Sequence, residues 1–276
     1  KCAKKRSIPV VVISGRFNLI RPFYGYNVIL TKEVLENIDY FGMRSRKDSE
    51  DLAKLLEKSG HIKITGDLKF SGVGLRNVMP STKEFLESLS NFSKMVIVAG
   101  STHEGEERIV LEAYCALKEK FPDSLLVLAP RDVKRAEEID DLCRSYGKNS
   151  KRRSFITKTI EKKTEVIILD TEGELFEIYS ASRCAFLGGS LVYIERFGGH
   201  KILEPAFFGK PVIFGPHMHN FQYLADEFIK RGIGFKVANS KELRDVIEKF
   251  FNDNGLLDKI FQNKEKYFKE NDFVLR

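Results

Sequence analysis

The sequence contains no tryptophan, only four cysteines and no long apolar run. The cysteines, Cys2, Cys115, Cys143 and Cys184, are far apart and form no Cys-x-x-Cys pair, which argues against a disulfide framework and a cysteine-based metal site. No stretch of eighteen consecutive apolar residues exists, so no transmembrane helix is predicted. The apolar run 9–13, behind basic first residues, is too short for a secretory signal peptide.

The 276 residues carry a formal net charge of +7, with 42% hydrophobic and 31% charged residues. These proportions are typical of a globular protein with a real core, and the length suffices for one large or two small domains. Nucleic acid, anionic membrane and phosphorylated substrates are all compatible with the charge, as is an ordinary lysine-rich surface. Phenylalanine pairs such as Phe207-Phe208 lack the basic-aromatic interleaving of a single-strand nucleic-acid binder.

Short apolar runs alternate with amphipathic helical stretches along the chain. Apolar strands this short, separated by helices, indicate parallel βαβ units in an α/β fold with both sheet faces covered. The predicted strands are 9–13, 43–45 (at a sheet edge), 62–65, 95–99, 125–129, 166–169, 184–187, 212–214 and 234–237. The predicted helices are 31–40, 47–59, 82–89, 106–120, 133–146, 175–181, 202–208, 221–231 and 240–252, the last opened by a serine cap.

The segment 69–94 interrupts this alternation with glycines, serines and Pro80. We therefore predict a partial Rossmann-like domain over residues 1–70, a linker with a first helix over 71–94, and a Rossmann-like, doubly wound parallel sheet of about six strands over 95–276. The front part holds about two and a half βα units, which is too few for a complete domain of this type.

The first candidate motif is Ala-Gly-Ser-Thr-His-Glu-Gly-Glu-Glu at 99–107, directly after a predicted strand. Backbone N–H groups at a strand-to-helix turn favour an anion, and we expect Ser101, Thr102 and Gly105 to face one. A capping box closed by Glu106 explains the same residues without any ligand.

The second candidate is Arg131, which follows the predicted strand 125–129. Ligands of open α/β sheets lie outside the carboxyl ends of the strands, and an arginine there can clamp a phosphate. A surface ion pair with Asp132 is the alternative.

The strongest motif consists of two glycine pairs that bracket a loop, in 186–190 (Phe-Leu-Gly-Gly-Ser) and 197–205 (Phe-Gly-Gly-His-Lys-Ile-Leu-Glu-Pro). Glycines let the backbone approach a ligand closely, and a helix is predicted to start at 200–201. Glu204, one turn into this helix, can accept hydrogen bonds from ribose hydroxyls. Ordinary tight turns and a glutamate in the first turn of a helix explain the same residues without a ligand. The candidate binding residues here are Gly189, Gly198, Gly199, His200, Lys201 and Glu204.

The fourth motif is Gly-Pro-His-Met-His-Asn-Phe at 215–221, after the predicted strand 212–214. His217 and His219 are two residues apart on a loop without a nearby cysteine, which is poor metal-ligand spacing, so no metal site is predicted. A rigid Gly-Pro turn that leads to a helix capped by Asn220 is the alternative to a ligand-binding role.

In this order, the motifs resemble those of the Kdo transferases, GT-B glycosyltransferases that transfer 3-deoxy-D-manno-octulosonic acid (Kdo) from CMP-Kdo to a lipid A precursor in lipopolysaccharide synthesis. The resemblance runs from about residue 8 to about residue 250. Its motifs are Gly-Ser-Thr-His-Glu-Gly-Glu-Glu, Pro-Arg, Gly-Glu-Leu, Gly-Gly-Ser-Leu, Gly-Gly-His-x-x-Leu-Glu-Pro, Gly-Lys-Pro-Val and Gly-Pro-His-x-x-Asn-Phe. In the front part, 13–21 resembles the family's arginine-containing stretch, and Lys69 lies in a segment similar to its interdomain segment.

The resemblance implies that the turns of the C-terminal domain hold the CMP-Kdo donor. Arg131 and the turn 101–105 would face the phosphate or the Kdo carboxylate, the helix start at 198–200 the phosphate, and Glu204 the ribose. Lys201 would stabilise the developing phosphate charge with Arg131. The family further implies an inverting reaction without metal or cofactor, a lipid A precursor as acceptor, and no nucleic-acid partner. The expected location is peripheral, at the cytoplasmic face of the bacterial inner membrane.

The sequence departs from the family's pattern at several positions. Asp132 stands where members usually have His, Lys201 where they have Asn, and 193–197 looks like a small insertion. The family's Ser-x-Gly-Glu segment with its carboxylate base is not found here, so no catalytic residue is assigned and we expect this chain alone to be nearly inactive. Another GT-B transferase that uses a UDP- or GDP-sugar, and a non-catalytic nucleotide- or membrane-binding module derived from the family, stay open.

Overall fold

The computed structural model describes residues 2–17, 28–56, 60–66, 68, 79–157, 159–195 and 198–271. The chain forms two compact units, one of Lys1–Leu75 with Tyr267–Arg276 and the other of Arg76–Lys266. The boundary predicted near residue 70, and Lys69 with it, lie outside the described residues. The described part of the chain holds no helix with the length and apolarity to cross a bilayer.

The smaller unit contains a parallel three-stranded sheet in the order β1-β2-β3. Phe41 and Met43 of the central strand alternate toward a small core, where Leu52 and Leu56 meet them. The predicted edge strand 43–45 and the predicted helix end at Tyr40 are therefore wrong, because Tyr40 begins a central strand whose apolar period is two. The elements are α1 (Cys2–Lys5), β1 (Val11–Gly15), α2 (Val28–Leu35), β2 (Tyr40–Met43), α3 (Arg46–Leu55) and β3 (Ile62–Ile64).

The larger unit is built around a parallel sheet of seven strands. Its strands are β4 (Val96–Thr102), β5 (Leu125–Pro130), β6 (Ser150–Arg152), β7 (Val166–Ile168), β8 (Cys184–Leu187), β9 (Val212–Phe214) and β10 (Gly234–Lys236). The helices that follow residue 79 are α4 (Pro80–Phe92), α5 (Glu106–Lys120), α6 (Ala136–Ser145), α7 (Leu175–Ala181), α8 (Leu203–Phe207), α9 (Gln222–Lys230), α10 (Ser240–Asn252) and α11 (Asn254–Asn271), with 3-10 turns at Val133–Arg135 and Arg153–Phe155.

The strand order β10-β9-β8-β4-β5-β7-β6 confirms the predicted α/β class with a doubly wound parallel sheet. β4 lies in the middle and pairs with both β5 and β8, so the chain winds outward from it in two directions. The strands are buried, and Leu111, Tyr114 and Leu117 of α5 join them in the main core. In such a sheet the gap between β4 and β8, at the carboxyl ends of the strands, is the place where ligands bind.

One predicted boundary beside this gap is wrong. The predicted strand 95–99 continues to Thr102, because Gly100 and Thr102 still pair with β5 at Ala129 and Pro130. Ser101 and Thr102 therefore end a strand and do not begin a helix. The helix begins at Glu106, after Gly105 in a left-handed conformation (φ +89°).

Two predicted helix caps are also wrong. Asn239, not Ser240, caps α10, since its side-chain Oδ1 accepts a hydrogen bond from the N–H of Glu242 at 2.9 Å. Phe221 occupies the N-cap position of α9, and no side chain caps that helix. Asn220 instead donates its backbone N–H to the carbonyl oxygen of Gly198 at 3.1 Å.

Candidate functional site

The end of β4 and the loops after β8 and β9 meet backbone to backbone at the carboxyl edge of the larger sheet. The N–H of Gly188 donates to the carbonyl oxygen of Gly100 at 2.9 Å. A Cβ atom on Gly188 would overlap the carbonyl of Ser101, and one on Gly215 would overlap that of Ser190. Glycine is required at 188 and 215 because any side chain would force these loops apart.

Glu106 is the residue that holds these loops in position. Its fully buried carboxylate accepts four backbone N–H bonds, from His103 at 3.0 Å, Gly189 at 2.7 Å, Ser190 at 3.0 Å and Leu191 at 2.8 Å. The bond to His103 is the capping interaction that the sequence offers as an alternative for this turn. The three bonds to the β8 loop were not predicted, and they mean that these N–H groups already have an anionic acceptor within the protein.

The first and third motifs meet at two histidines. The Nε2 atoms of His103 and His200 are 2.8 Å apart, and their rings are nearly parallel, with 8° between the planes. Burial lowers the pKa of both imidazoles, that of His200 to about 4, and the positive charge of Arg131 acts in the same direction. Both rings are neutral at neutral pH, so one Nε2–H donates to the other Nε2.

Arg131 stands beside this pair at the end of β5. Its backbone N–H donates to the carbonyl oxygen of Thr102 at 2.9 Å, and its side chain is exposed. Asp132 accepts from the backbone N–H of Lys134 at 3.1 Å, and among the described residues no carboxylate pairs with the guanidinium of Arg131. The surface ion pair considered from the sequence therefore does not form.

The residues of the first motif differ in their exposure to solvent. Ser101 is partly exposed and has a left-handed backbone (φ +57°), which is unusual for a residue with a side chain and is typical of functional sites. Thr102 is fully buried, so its side chain does not reach the surface. Gly105 is exposed at the start of α5.

The third motif contains the clearest error in the predicted site. The helix predicted to start at 200–201 begins at Leu203 and has five residues. Pro205 lacks an N–H and fits only the first turn of a helix, so the start at 200–201 is excluded. Lys201 lies before the helix, exposed, and its Nζ is 3.2 Å from a carboxylate oxygen of Glu204, which is 12% exposed.

The second glycine pair connects the loops after β8 and β9. Gly199 has a left-handed backbone (φ +78°), and its N–H donates to the carbonyl oxygen of Gly189 at 2.6 Å. A Cβ atom on Gly199 would overlap the sulfur of Met218, and one on Gly198 would overlap the ring of His219. Gly198 and Gly199 are buried, so close packing of the protein itself already requires glycine there.

A second buried carboxylate supports the same region. Glu107 is almost completely buried and accepts from the Nη1 of Arg135 at 2.9 Å, while Arg135 also binds Glu138. Burial raises the pKa of Glu107, and the guanidinium of Arg135 opposes that change. The acidic run Glu106-Glu107 in the sequence was a signal for this, because buried acids at a helix start require partners. No cluster of three potential metal ligands occurs in the described ranges.

Comparison with known proteins gives related enzymes for both units. Residues 1–72 match the family model of 3-deoxy-D-manno-octulosonic-acid transferase (kdotransferase). A bifunctional glycosyltransferase/methyltransferase of Fusobacterium nucleatum is 33% identical over 96% of this chain and 40% of its own length. The 3-deoxy-D-manno-octulosonic acid transferase of Aquifex aeolicus is 30% identical over 87% of this chain and 55% of its own length. The chain thus spans about half the length of these relatives.

The larger unit also resembles a solved structure. The C-terminal CMP-Kdo binding domain of WaaA from Acinetobacter baumannii superimposes with a TM-score of 0.61 at 26% identity, covering 71% of this chain and 96% of that domain. The larger unit, which holds the seven-stranded sheet, makes up a similar share of this chain. The predicted GT-B type of fold agrees with this likeness.

Proposed function

Since the chain is related to the Kdo transferases in sequence and in fold, we propose that it acts in glycosyl transfer and that its larger unit binds CMP-Kdo in the gap between β4 and β8. One observation carries this proposal: Arg131, exposed and without a described carboxylate partner, stands at that gap beside the His103–His200 pair. A nucleoside monophosphate sugar with a carboxylate is an anion that an arginine fork binds well.

The backbone N–H groups of the loops already have an acceptor, so other groups must bind the charged part of the donor. The N–H groups of His103 and of the loop Gly189–Leu191 donate to Glu106, so we assign the charge of the donor to side chains instead. Arg131 and Lys201 supply the positive charge, and the neutral histidine pair supplies hydrogen bonds. The remaining candidate contacts, still predictions, are Ser101, Gly105, Gly189, Gly198, Gly199, His200 and Asn220. The side chain of Thr102 is buried, so we do not propose it as a contact.

The proposed chemistry is an inverting transfer. The acceptor hydroxyl gives its proton to a carboxylate base, which is not assigned among these residues, and its oxygen attacks the anomeric carbon of Kdo while CMP leaves. The charge that develops on the CMP phosphate is stabilised by Arg131 and Lys201 without a metal ion. Glu204 accepts from the ribose hydroxyls. Its carboxylate also binds Lys201, so the two side chains orient each other.

We further propose, from the motif resemblance, a lipid A precursor as the acceptor, at the cytoplasmic face of the bacterial inner membrane. Residues 1–70 would contribute to the acceptor side. The formal net charge of +7 supports contact with anionic lipid. Because we expect these 276 residues alone to be nearly inactive in transfer, binding tests the acceptor. The protein should bind vesicles that contain a lipid A precursor more tightly than vesicles without it, and equal binding would contradict this acceptor.

Calorimetry with CMP and with UDP tests the donor. We expect CMP to bind more tightly than UDP, and we expect Arg131→Ala to weaken CMP binding roughly tenfold, because it removes a charge-assisted hydrogen bond to phosphate. Glu204→Ala should also weaken the binding of CMP. Arg144→Ala is the matched control, since Arg144 is an exposed arginine that pairs with Asp140 on α6.

The outcomes separate the alternatives. Tighter binding of UDP would favour a transferase that uses a UDP-sugar. Absence of binding by either nucleotide would contradict the donor site and favour a module without catalytic function. Equal CMP affinity in wild type and Arg131→Ala would show that Arg131 does not bind the nucleotide.

A further inference from the structure

Three basic residues lie at the amino edge of the larger sheet, opposite the proposed donor site. Lys94 precedes β4, Arg183 precedes β8 and Lys210 precedes β9. All three line one crevice with a volume of about 670 Å³. Because β8 is next to both β4 and β9 in the sheet, the three strand starts are neighbours.

Two of these cations bind only neutral oxygens among their described partners. The Nζ of Lys94 donates to the carbonyl of Ser90 at 2.8 Å. The Nε of Arg183 donates to the carbonyl of Phe250 at 2.8 Å, and its Nη2 to the side-chain Oδ1 of Asn254 at 2.6 Å. These acceptors do not neutralise either charge.

Lys210 is the most informative of the three. It is partly buried, and within the described ranges no oxygen accepts from its ammonium group. Burial lowers its pKa, and the neighbouring charge of Arg183 acts in the same direction. The left-handed Gly209 (φ +69°) ends α8 immediately before it, and the ring of Phe261 packs directly on Gly209.

Helix ends explain part of this arrangement. α4, α7 and α8 end at this edge, and the carbonyl ends of helices attract cations. The bond from Lys94 to Ser90, in the last turn of α4, is of that kind. The ammonium group of Lys210 donates to no described carbonyl, so the position of this side chain is not explained in this way.

The rest of the crevice has two further properties. Its described lining contains one carboxylate, Asp258, which is exposed and forms no ion pair with a described residue. Phe208, Leu257 and Phe261 give it an apolar wall. Three cations against one exposed carboxylate, beside apolar side chains, suit an anion that carries an apolar group.

We propose that this crevice is a second anion site, which binds the phosphate group of a phosphate ester through Lys94, Arg183 and Lys210, with Phe208 and Phe261 against the apolar part. A phosphate oxygen would supply the anionic partner that Lys210 lacks. The ester is either a free phosphorylated metabolite or the headgroup of an anionic lipid. The proposal is independent of the donor site, since none of these residues lies at the carboxyl edge.

Calorimetric titration with inorganic phosphate tests the shared chemistry. We expect wild type to bind phosphate and Lys210→Met to bind it roughly tenfold more weakly. Lys83→Met, an exposed lysine of α4, is the matched control and should not change the affinity. Arg131→Ala should retain the component that depends on Lys210, which separates this site from the donor site.

Melting temperature in phosphate-free buffer shows whether Lys210→Met is folded. We expect it to rise, because an unpaired, partly buried charge is replaced by an apolar chain. Phosphate binding that is equal in wild type and Lys210→Met, or that is lost only in Arg131→Ala, would overturn the proposal.

Vesicle sedimentation separates the two sources of phosphate. Binding to vesicles of phosphatidylcholine mixed with phosphatidylglycerol, compared with phosphatidylcholine alone, assigns the site to lipid headgroups if Lys210→Met reduces it. Phosphate binding that depends on Lys210, without vesicle binding that depends on Lys210, assigns it to a free phosphate ester.

Discussion

The two edges of the seven-stranded sheet hold charge by different means. At the carboxyl edge, one buried carboxylate, that of Glu106, is bound by four backbone N–H groups, and the loops around it touch backbone to backbone. At the amino edge, the long side chains of Lys94 and Arg183 reach neutral oxygens, and the ammonium group of Lys210 has no described acceptor. The first edge is fixed by the main chain and the second by side chains.

Helix direction accounts for this difference. In a parallel sheet with returning helices, helix starts meet the carboxyl edge and offer N–H donors, whereas helix ends meet the amino edge and offer carbonyls. A carboxylate is therefore accommodated by the backbone at one edge, and cations are attracted to the other. We expect substitutions at the carboxyl edge to be more costly, and the variants below measure that contrast.

Glu106→Gln should have the largest effect. The amide of the glutamine places an N–H group where the backbone N–H groups need an acceptor, so several buried donors lose their partners. We therefore expect the free energy of unfolding to fall by about 4 kcal/mol. Urea denaturation measures it. Glu104→Gln, two residues away and exposed, is the control and should stay within about 0.5 kcal/mol of wild type. Equal stability of both variants would contradict the assigned role.

Gly188→Ala should follow, at about 3 kcal/mol of destabilisation, because its Cβ atom would overlap the backbone of the β4 end. Gly147→Ala is the control, since Gly147 has a left-handed backbone (φ +67°) but open space around it. It should cost about 1 kcal/mol from backbone conformation alone. If Gly188→Ala cost no more than Gly147→Ala, the close approach of the two loops would be wrong.

His200 should make stability depend on pH. Its pKa is about 4 in the folded protein and 6.5 in an unfolded chain, so the unfolded state binds the proton first as pH falls. The contribution of His200 is complete above pH 6.5 and is lost as pH falls toward 4, by about 2 kcal/mol after allowance for solvent screening. Denaturation across this window should show a smaller loss for His200→Gln than for wild type; parallel curves would contradict the folded pKa.

Arg183→Met should have the smallest effect, although it removes bonds to three acceptors at the amino edge. The freed carbonyl oxygens lie near the surface and can bind water, so we expect roughly 1 kcal/mol of destabilisation. Arg144→Met, which removes an exposed ion pair, should cost less than about 0.5 kcal/mol. If Arg183→Met lowered the free energy of unfolding as much as Glu106→Gln, the proposed difference between the two edges would be wrong.

Much of the fold follows from the sequence because its signals are local. The strands 184–187 and 212–214 and the helices 106–120, 175–181 and 240–252 are confirmed with their predicted bounds. β6 was missed because its sequence, Ser-Lys-Arg, has no apolar period, and β4 was predicted too short because glycine and hydroxyl residues end it. Local patterns do not encode pairing with a neighbouring strand.

The site was less predictable because its contacts join distant residues. The sequence identified the correct turns, yet it did not indicate that Glu106 binds a loop more than eighty residues away or that His103 meets His200. The helix start predicted at 200–201 was wrong because Pro205 fits only the first turn of a helix and so requires a later start. Charge and glycine content are visible in a sequence, whereas the partner of a buried carboxylate is a property of the fold.

The bonds of Glu106 have a consequence for the thermodynamics of binding. Because the protein supplies its own anion to the loops after β4 and β8, their conformational entropy is lost during folding and not when a ligand arrives. The site is preorganised. A nucleotide that binds there gains affinity from the groups that it contacts, with little offset from ordering the main chain.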